Sequence, residues 1–202
     1  MSNKRIFYII GFILIGTIIG IYASYKLETF MKKQTAFKGI CLFDIDNTLT
    51  TGTENEKVVD ICLNAGYAVG ISTANPSYHP HTIMFFKWMP KNLYNFMIEH
   101  DFDTFNNVSS LYLNGKINKT AYQNIESNLP ENVNIYGWRK GFTLLETAKI
   151  YNVEDTSKML LFDDDRGYID GIKAFTGNRV KVICSGNDCG GILNESTVLN
   201  AI

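Results

Sequence analysis

Two short apolar runs, Ile40 to Phe43 and Met159 to Phe162, each stop abruptly at carboxylates: the first at Asp44 and Asp46, the second at Asp163 and Asp164. Four or five apolar residues in a row, without period-two alternation, read as a strand buried on both faces. Such strands belong to parallel sheets, which need long crossovers and a helical layer on either side. The intervening sequence supplies them. "ENEKVVDICLNAG" carries Val58, Val59, Cys62 and Leu63 at helical spacing and ends at Gly66. "YAVGIS" (67–72), "KMLLF" (158–162) and "RVKVIC" (179–184) read as further strands. "WRKGFTLLETAKIYNV" sets Phe142, Leu145, Ala148 and either Ile150 or Tyr151 on one face, which predicts a helix over 141–151 with Lys140 just before it; "YIDGIKAF" is a short helix. The alternation predicts an α/β domain over 39–202, a three-layer Rossmann-like parallel sheet flanked by helices.

Between residues 76 and 135 the pattern is aromatic and less regular. "HTIMFFKWMPKNLYNFMIEHDF" reads as helix on both sides of Pro90, "KTAYQNIES" as another, and the segment has room for a small cap at most. Phe85, Phe86, Trp88, Met89 and Trp138 would line such a cap or fill the core, the commoner fate of aromatic stripes.

The first 38 residues are of another kind. Ile6 to Tyr25 contains 20 residues without a charge, about 30 Å of helix at roughly 1.5 Å per residue, the thickness of a bilayer's hydrocarbon layer. The expectation is a single-pass membrane anchor followed by a juxtamembrane linker. Cleavage near Ala23, releasing a secreted protein, is the alternative. Lys4 and Arg5 precede the span and Lys26, Lys32, Lys33 and Lys38 follow it, so the side of the membrane stays open.

Charge excludes one class of partner. Nineteen basic against 20 acidic residues, with no basic stripe, predict no nucleic-acid binding. The four cysteines have no zinc spacing; a bridge between Cys184 and Cys189 is left open, as is the oligomeric state.

The acids carry the chemistry. Extended residues two apart point the same way, so Asp44 and Asp46 project from the carboxyl edge of the sheet, where Asp163 and Asp164 also arrive. Two unit charges about 4 Å apart cost on the order of 4 kcal/mol at an effective dielectric near 20. A hard divalent cation with oxygen ligands, Mg²⁺ before Ca²⁺, is the natural resident. A calcium-binding EF-hand starting at Asp44 is excluded, because its Gly and Glu positions hold Leu49 and Asn55. Surface-turn propensity explains one such acidic cluster, but not two, each directly after an apolar strand.

"DIDNTLT", "VGISTAN", "WRKGF" and "LLFDDDRGYIDGIKA" together resemble, in order, the four motifs of the haloacid dehalogenase superfamily. The resemblance implies a Mg²⁺-dependent phosphohydrolase cleaving a phosphomonoester through an aspartyl-phosphate. Asp44 is then the nucleophile and Asp46 the general acid and base. The metal is held by Asp44, the backbone carbonyl of Asp46, Asp163 and Asp164, and the phosphate by Thr73 and Lys140. Asp46 favours phosphate esters over haloacids, since dehalogenases of the family lack it. The substrate is then a phosphorylated small molecule or a phosphoprotein. The alternatives are a membrane-anchored scaffold that has lost the chemistry and a protein phosphatase with an open site. Two assignments need their own argument. Ser72 competes with Thr73, but the apolar run Ala68 to Ile71 makes Ser72 the last strand residue. Lys158 competes with Lys140, but it opens the strand that ends at Asp163 and lies about 16 Å away at about 3.3 Å per residue. His79 and His81, beside the second motif, read as solvated loop residues or as substrate contacts.

Overall fold

The computed structural model describes residues 16, 17, 19–22, 37–51, 54–75, 79–100 and 119–202. The chain divides into two compact units, Met1–Thr35 and Ala36–Ile202. In the first, residues 16, 17 and 19–22 are helical, and the rest of the expected membrane segment over 6–25 lies outside the described residues. Among the described residues no helix is long and apolar enough to cross a membrane.

The second unit is built on a four-stranded sheet. Gly39–Phe43 (β1), Tyr67–Ile71 (β2), Met159–Asp163 (β3) and Lys181–Cys184 (β4) lie in the order β2-β1-β3-β4, all parallel. Every residue of β1, β2 and β3 is buried, as the unbroken apolar runs require, whereas edge strand β4 is partly exposed. Phe43 and Phe162 sit opposite each other in register and their rings stack at 4.9 Å. The helices are α1 (Asn55–Asn64), α2 (Pro80–Trp88), α3 (Lys91–Glu99), α4 (Lys119–Ser127), α5 (Ile135–Ile150), α6 (Arg166–Thr176) and α7 (Glu195–Leu199). The crossover through α1 runs outward from β1, and that through α6 runs the other way from β3. Right-handed connections therefore put these helices on opposite faces. α1 packs with α3 and α7, and α5 with α6 and α4. The strand order reverses direction between β1 and β3, the place where α/β sheets open a crevice at their carboxyl ends.

Several element boundaries differ from the sequence reading. Helix α5 begins at Ile135, not at 141, because Asn134 caps it: its side chain accepts from the backbone N–H groups of Tyr136 and Gly137. Lys140 is therefore inside the helix rather than ahead of it. β3 extends one residue further, so Asp163 is its last residue. β4 starts at Lys181 because Gly177 and Asn178, both at positive φ, are used to reverse the chain after α6.

The region read as cap or core contributes to the core. Phe85, Leu93, Phe96 and Met97 from α2 and α3 are buried with the residues of the sheet, and α3 contacts β2. Trp88 stays about half exposed (47 %). Residues 76–78 and 101–118, also part of the possible cap, lie outside the described residues. Cys184 and Cys189 are bridged, with Cα atoms 5.4 Å apart, and Cys41 and Cys62 are free and buried.

The packing of α5 on α6 sets where Lys140 lies, and it depends on small residues. A Cβ added at Gly137 would meet the Tyr168 carbonyl oxygen at 2.2 Å, and one at Gly171 would meet the Gly137 Cα at 2.9 Å. Gly137→Ala should therefore force the two helices apart and lower the unfolding free energy by about 1 to 3 kcal/mol, read by thermal or denaturant melting. A variant as stable as the wild type would show that the close approach is dispensable.

Candidate functional site

Asp44 follows β1 directly, and its backbone N–H still pairs with the Phe162 carbonyl of β3 at 2.9 Å. The chain then tightens into the turn Ile45–Leu49, in which Asp46 is extended and Asn47 takes a left-handed conformation (φ 52°). Asn47 and Thr51 close the turn through Asn47 N–H to Thr50 Oγ1 (2.9 Å) and Thr51 Oγ1 to the Asn47 carbonyl (2.8 Å). "DNT" is thus a local turn device as well as a motif. On the neighbouring strand end, Asp163 accepts from the Asp165 backbone N–H at 3.0 Å. Asp165 in turn caps α6 by accepting from Tyr168 N–H at 3.0 Å.

The two strand ends meet on one cation. Lys140 Nζ lies 2.8 Å from Asp44 Oδ1 and 2.5 Å from Asp163 Oδ2, with all three side chains almost fully buried. The Tyr168 ring covers the ammonium at 4.8 Å from its centroid. Burial works to lower the lysine's affinity for its proton, but Asp44 and Asp163 together outweigh it and hold the group above the ordinary lysine range. Asp44 is lifted to about 7, by burial first, with Lys140 opposing and Asp163 and Asp164 adding repulsion. Asp164 is raised as well, again by burial first, against a hydrogen bond from the Asn47 side chain.

Of the six residues singled out in the sequence, Asp44, Asp163 and Asp164 form a tight cluster in which one carboxylate oxygen of each lies within 4.8 Å of the others. Lys140 joins it. Asp46 does not bring its carboxylate to that cluster: Asn75 Nδ2 donates to Oδ2, and His81 Nδ1 lies 3.4 Å from Oδ1. Thr73 is buried and lines the same cleft of about 280 Å³ as Asp44, Asp46, Asn75, Asp164 and Tyr168. Ser72 does not line it; its N–H extends the ladder to the Phe43 carbonyl at 2.9 Å. Lys158 stands in the turn Thr156–Lys158 before β3, at the other end of the strand from Asp163.

Asn75, His81, Tyr168 and Asp188 were not anticipated as site residues, apart from His81 as one of two readings. Asn75 ended the quoted "VGISTAN", and only its position two residues past Thr73 signalled it. Asp188 reaches the cleft from the loop closed by the Cys184–Cys189 bridge. That loop is seated on the acids: Ser185 N–H donates to the Asp163 carbonyl at 2.9 Å, and Thr48 Oγ1 donates to the Ser185 carbonyl at 3.4 Å. A Cβ at Gly186, whose φ is 145°, would meet Asp164 Cβ at 2.3 Å.

No family model matches the chain, and no curated protein matches it significantly. The parallel α/β fold and the buried aspartate cluster are compatible with the haloacid dehalogenase superfamily.

Two stability measurements test this electrostatic arrangement, both in chelator. Lys140→Met leaves Asp44 and Asp163 facing each other without their cation and should cost about 3 to 5 kcal/mol at neutral pH. A smaller loss than about 1 kcal/mol would show that the ion pair is not formed in solution. The second is pH dependence. Asp44 binds its proton more tightly in the folded chain (about 7) than when unfolded (3.8). Its stabilising contribution is then full below about pH 4 and lost as pH rises through about 7. The wild type should lose stability across that window relative to Asp44→Asn, whose amide does not titrate. A pH-independent difference between the two would contradict the raised Asp44.

Proposed function

We propose that this protein is a Mg²⁺-dependent phosphohydrolase of the haloacid dehalogenase type, cleaving a phosphomonoester through an aspartyl-phosphate on Asp44. The observation that carries the reading is the meeting of Asp44, Lys140 and Asp163 at the carboxyl ends of β1 and β3, with Asp164, Thr73 and Asp46 around one cleft. Asp44 Oδ2, the oxygen not bonded to Lys140, attacks phosphorus as the ester bond breaks. Asp46 protonates the leaving oxygen and then takes a proton from the water that displaces Asp44. Thr73 and the Lys140 ammonium hold phosphoryl oxygens and offset their charge.

The donor set suits a hard cation: three carboxylates converge, and Lys140 supplies one positive charge against them. Asp44, Asp163, Asp164 and the Asp46 backbone carbonyl would hold it. Bound Mg²⁺ supplies charge screening, so that a carboxylate can approach an anionic phosphate. Membrane attachment through residues 6–25 belongs to the same proposal, on the strength of 20 uncharged residues.

Full-length protein from the membrane fraction, assayed with Mg²⁺ on metabolite phosphomonoesters, aryl phosphates and phosphopeptides, should release phosphate. Chelator should abolish the activity, Asp44→Asn should lower it by at least about 10³-fold, the order of effect of losing a catalytic group, and Lys158→Ala should behave like the wild type. A folded wild type silent on all three substrate groups would instead support a scaffold that has kept the fold.

A further inference from the structure

Asp46 differs from the other acids of the cleft in what holds it. Lys140 serves Asp44 and Asp163, whereas both Asp46 oxygens face the segment that follows β2. Asn75 Nδ2 donates to Oδ2, and His81 Nδ1 stands 3.4 Å from Oδ1. Asn75 is itself fixed, because its backbone N–H donates to Thr73 Oγ1 at 3.2 Å. Thr73 is almost fully buried (1 %), so the chain from the end of β2 to the Asp46 carboxylate is anchored in the core.

The Asp46 side chain is about one-third exposed (32 %) on a turn, and two torsions separate its carboxylate from the backbone. A general acid has to face the departing oxygen at hydrogen-bond range. An amide donor on one carboxylate oxygen restricts both torsions and leaves the other oxygen to carry a proton. We propose that Asn75 is a positioning residue for Asp46: it grips Oδ2, so that Oδ1, on the His81 side, faces the leaving group. This rests on the phosphohydrolase reading. In the first step the Asp44–phosphorus bond forms, the ester P–O bond breaks and the Oδ1 proton passes to the departing oxygen. In the second, water attacks phosphorus, the Asp44–phosphorus bond breaks and Oδ1 takes the water's proton.

The test compares leaving groups. Dinitrophenolate departs without protonation, whereas phenolate gains from it, and each variant is compared with the wild type on the same ester. The value of kcat/KM covers the steps up to release of the phenol, so it is measured for phenyl phosphate and dinitrophenyl phosphate with full-length protein and Mg²⁺. Asn75→Ala should lose about 10- to 100-fold on phenyl phosphate, part of the roughly 10²- to 10⁴-fold that a general acid contributes, and less than about threefold on dinitrophenyl phosphate. Added to Asp46→Asn, it should cost little more, since it acts through that carboxylate. If Asn75→Ala does not melt cooperatively, Asn75→Ser serves the same comparison. Equal losses on both esters, or losses that multiply with those of Asp46→Asn, overturn the inference and leave the phosphohydrolase reading standing. A wild type active only on the dinitrophenyl ester overturns it too, because no acid would then be at work. A wild type inactive on both overturns the reading and the inference together.

Discussion

The buried contact of Lys140 with Asp44 and Asp163 is the constraint around which the second unit is arranged. β1 and β3 are hydrogen-bonded neighbours, and each ends by delivering an almost fully buried carboxylate to the same edge. Without a cation between them those charges would oppose the pairing of the two central strands. The cation must come from an element that approaches both ends, and the crossover into β3 provides one. α5 ends at Ile150 and feeds β3, so its N-terminal half runs back to the carboxyl edge. Asn134 starts the helix early enough for Lys140 to fall in its second turn. Gly137 and Gly171 let α5 close on α6 until Tyr168 lies over the ammonium. A polar contact of this kind adds less to net stability than its geometry suggests, because three charged groups lose their water. What it does fix is the relative placement of two strand ends and one helix.

A second set of contacts secures the same edge from the other side. β4 continues into Ser185, whose N–H pairs with the Asp163 carbonyl, and the Cys184–Cys189 bridge folds the next residues back over Asp164. Gly186 is needed there on two counts: its φ of 145° suits a residue without Cβ, and the space a Cβ would take is filled by Asp164 and the Asn47 carbonyl. The first turn and the last loop thus interlock across the top of the sheet, through Thr48 and Ser185 as well.

What could be read in the sequence is what depends on runs and ends of runs. β1 and β2 were legible almost to the residue because a strand buried on both faces admits nothing polar until it stops, and the stop is where Asp44 and Thr73 lie. Lys140 was legible for its place between two strands, although the helix start was not. "VNIYG" carries Ile, Tyr and Gly where a helical pattern offers no clear face, and the decisive Asn134 cap is a single side chain accepting two N–H groups. Asn75, Asp188 and Tyr168 were hidden for a different reason. They reach the cleft from separate loops and a helix start, and no spacing along the chain encodes that meeting. His81 shows the same limit: solvation and substrate contact were both open readings, and the structure has its side chain largely exposed while Nδ1 stands 3.4 Å from Asp46 Oδ1.

The two acids of the first motif show how a fold gives one residue type two environments. Asp44 is closed in by the strand ends, and that burial is the largest cause of its raised proton affinity. A buried group with few open directions is well suited to attack along a fixed line, but the same burial favours its inactive, protonated form. Positive charge has to reverse that tendency, and Lys140 already opposes it without fully offsetting burial and the neighbouring acids. A cation among Asp44, Asp163 and Asp164 would act in the same direction as Lys140. Asp46, two residues further on, is past the strand, partly in water and held by an amide. Its side chain lines the cleft with Asn75 on one oxygen and His81 near the other. Under the proposed chemistry a metal requirement at Asp44 would follow from the burial that orients it, whereas Asp46 would need only to be held in place.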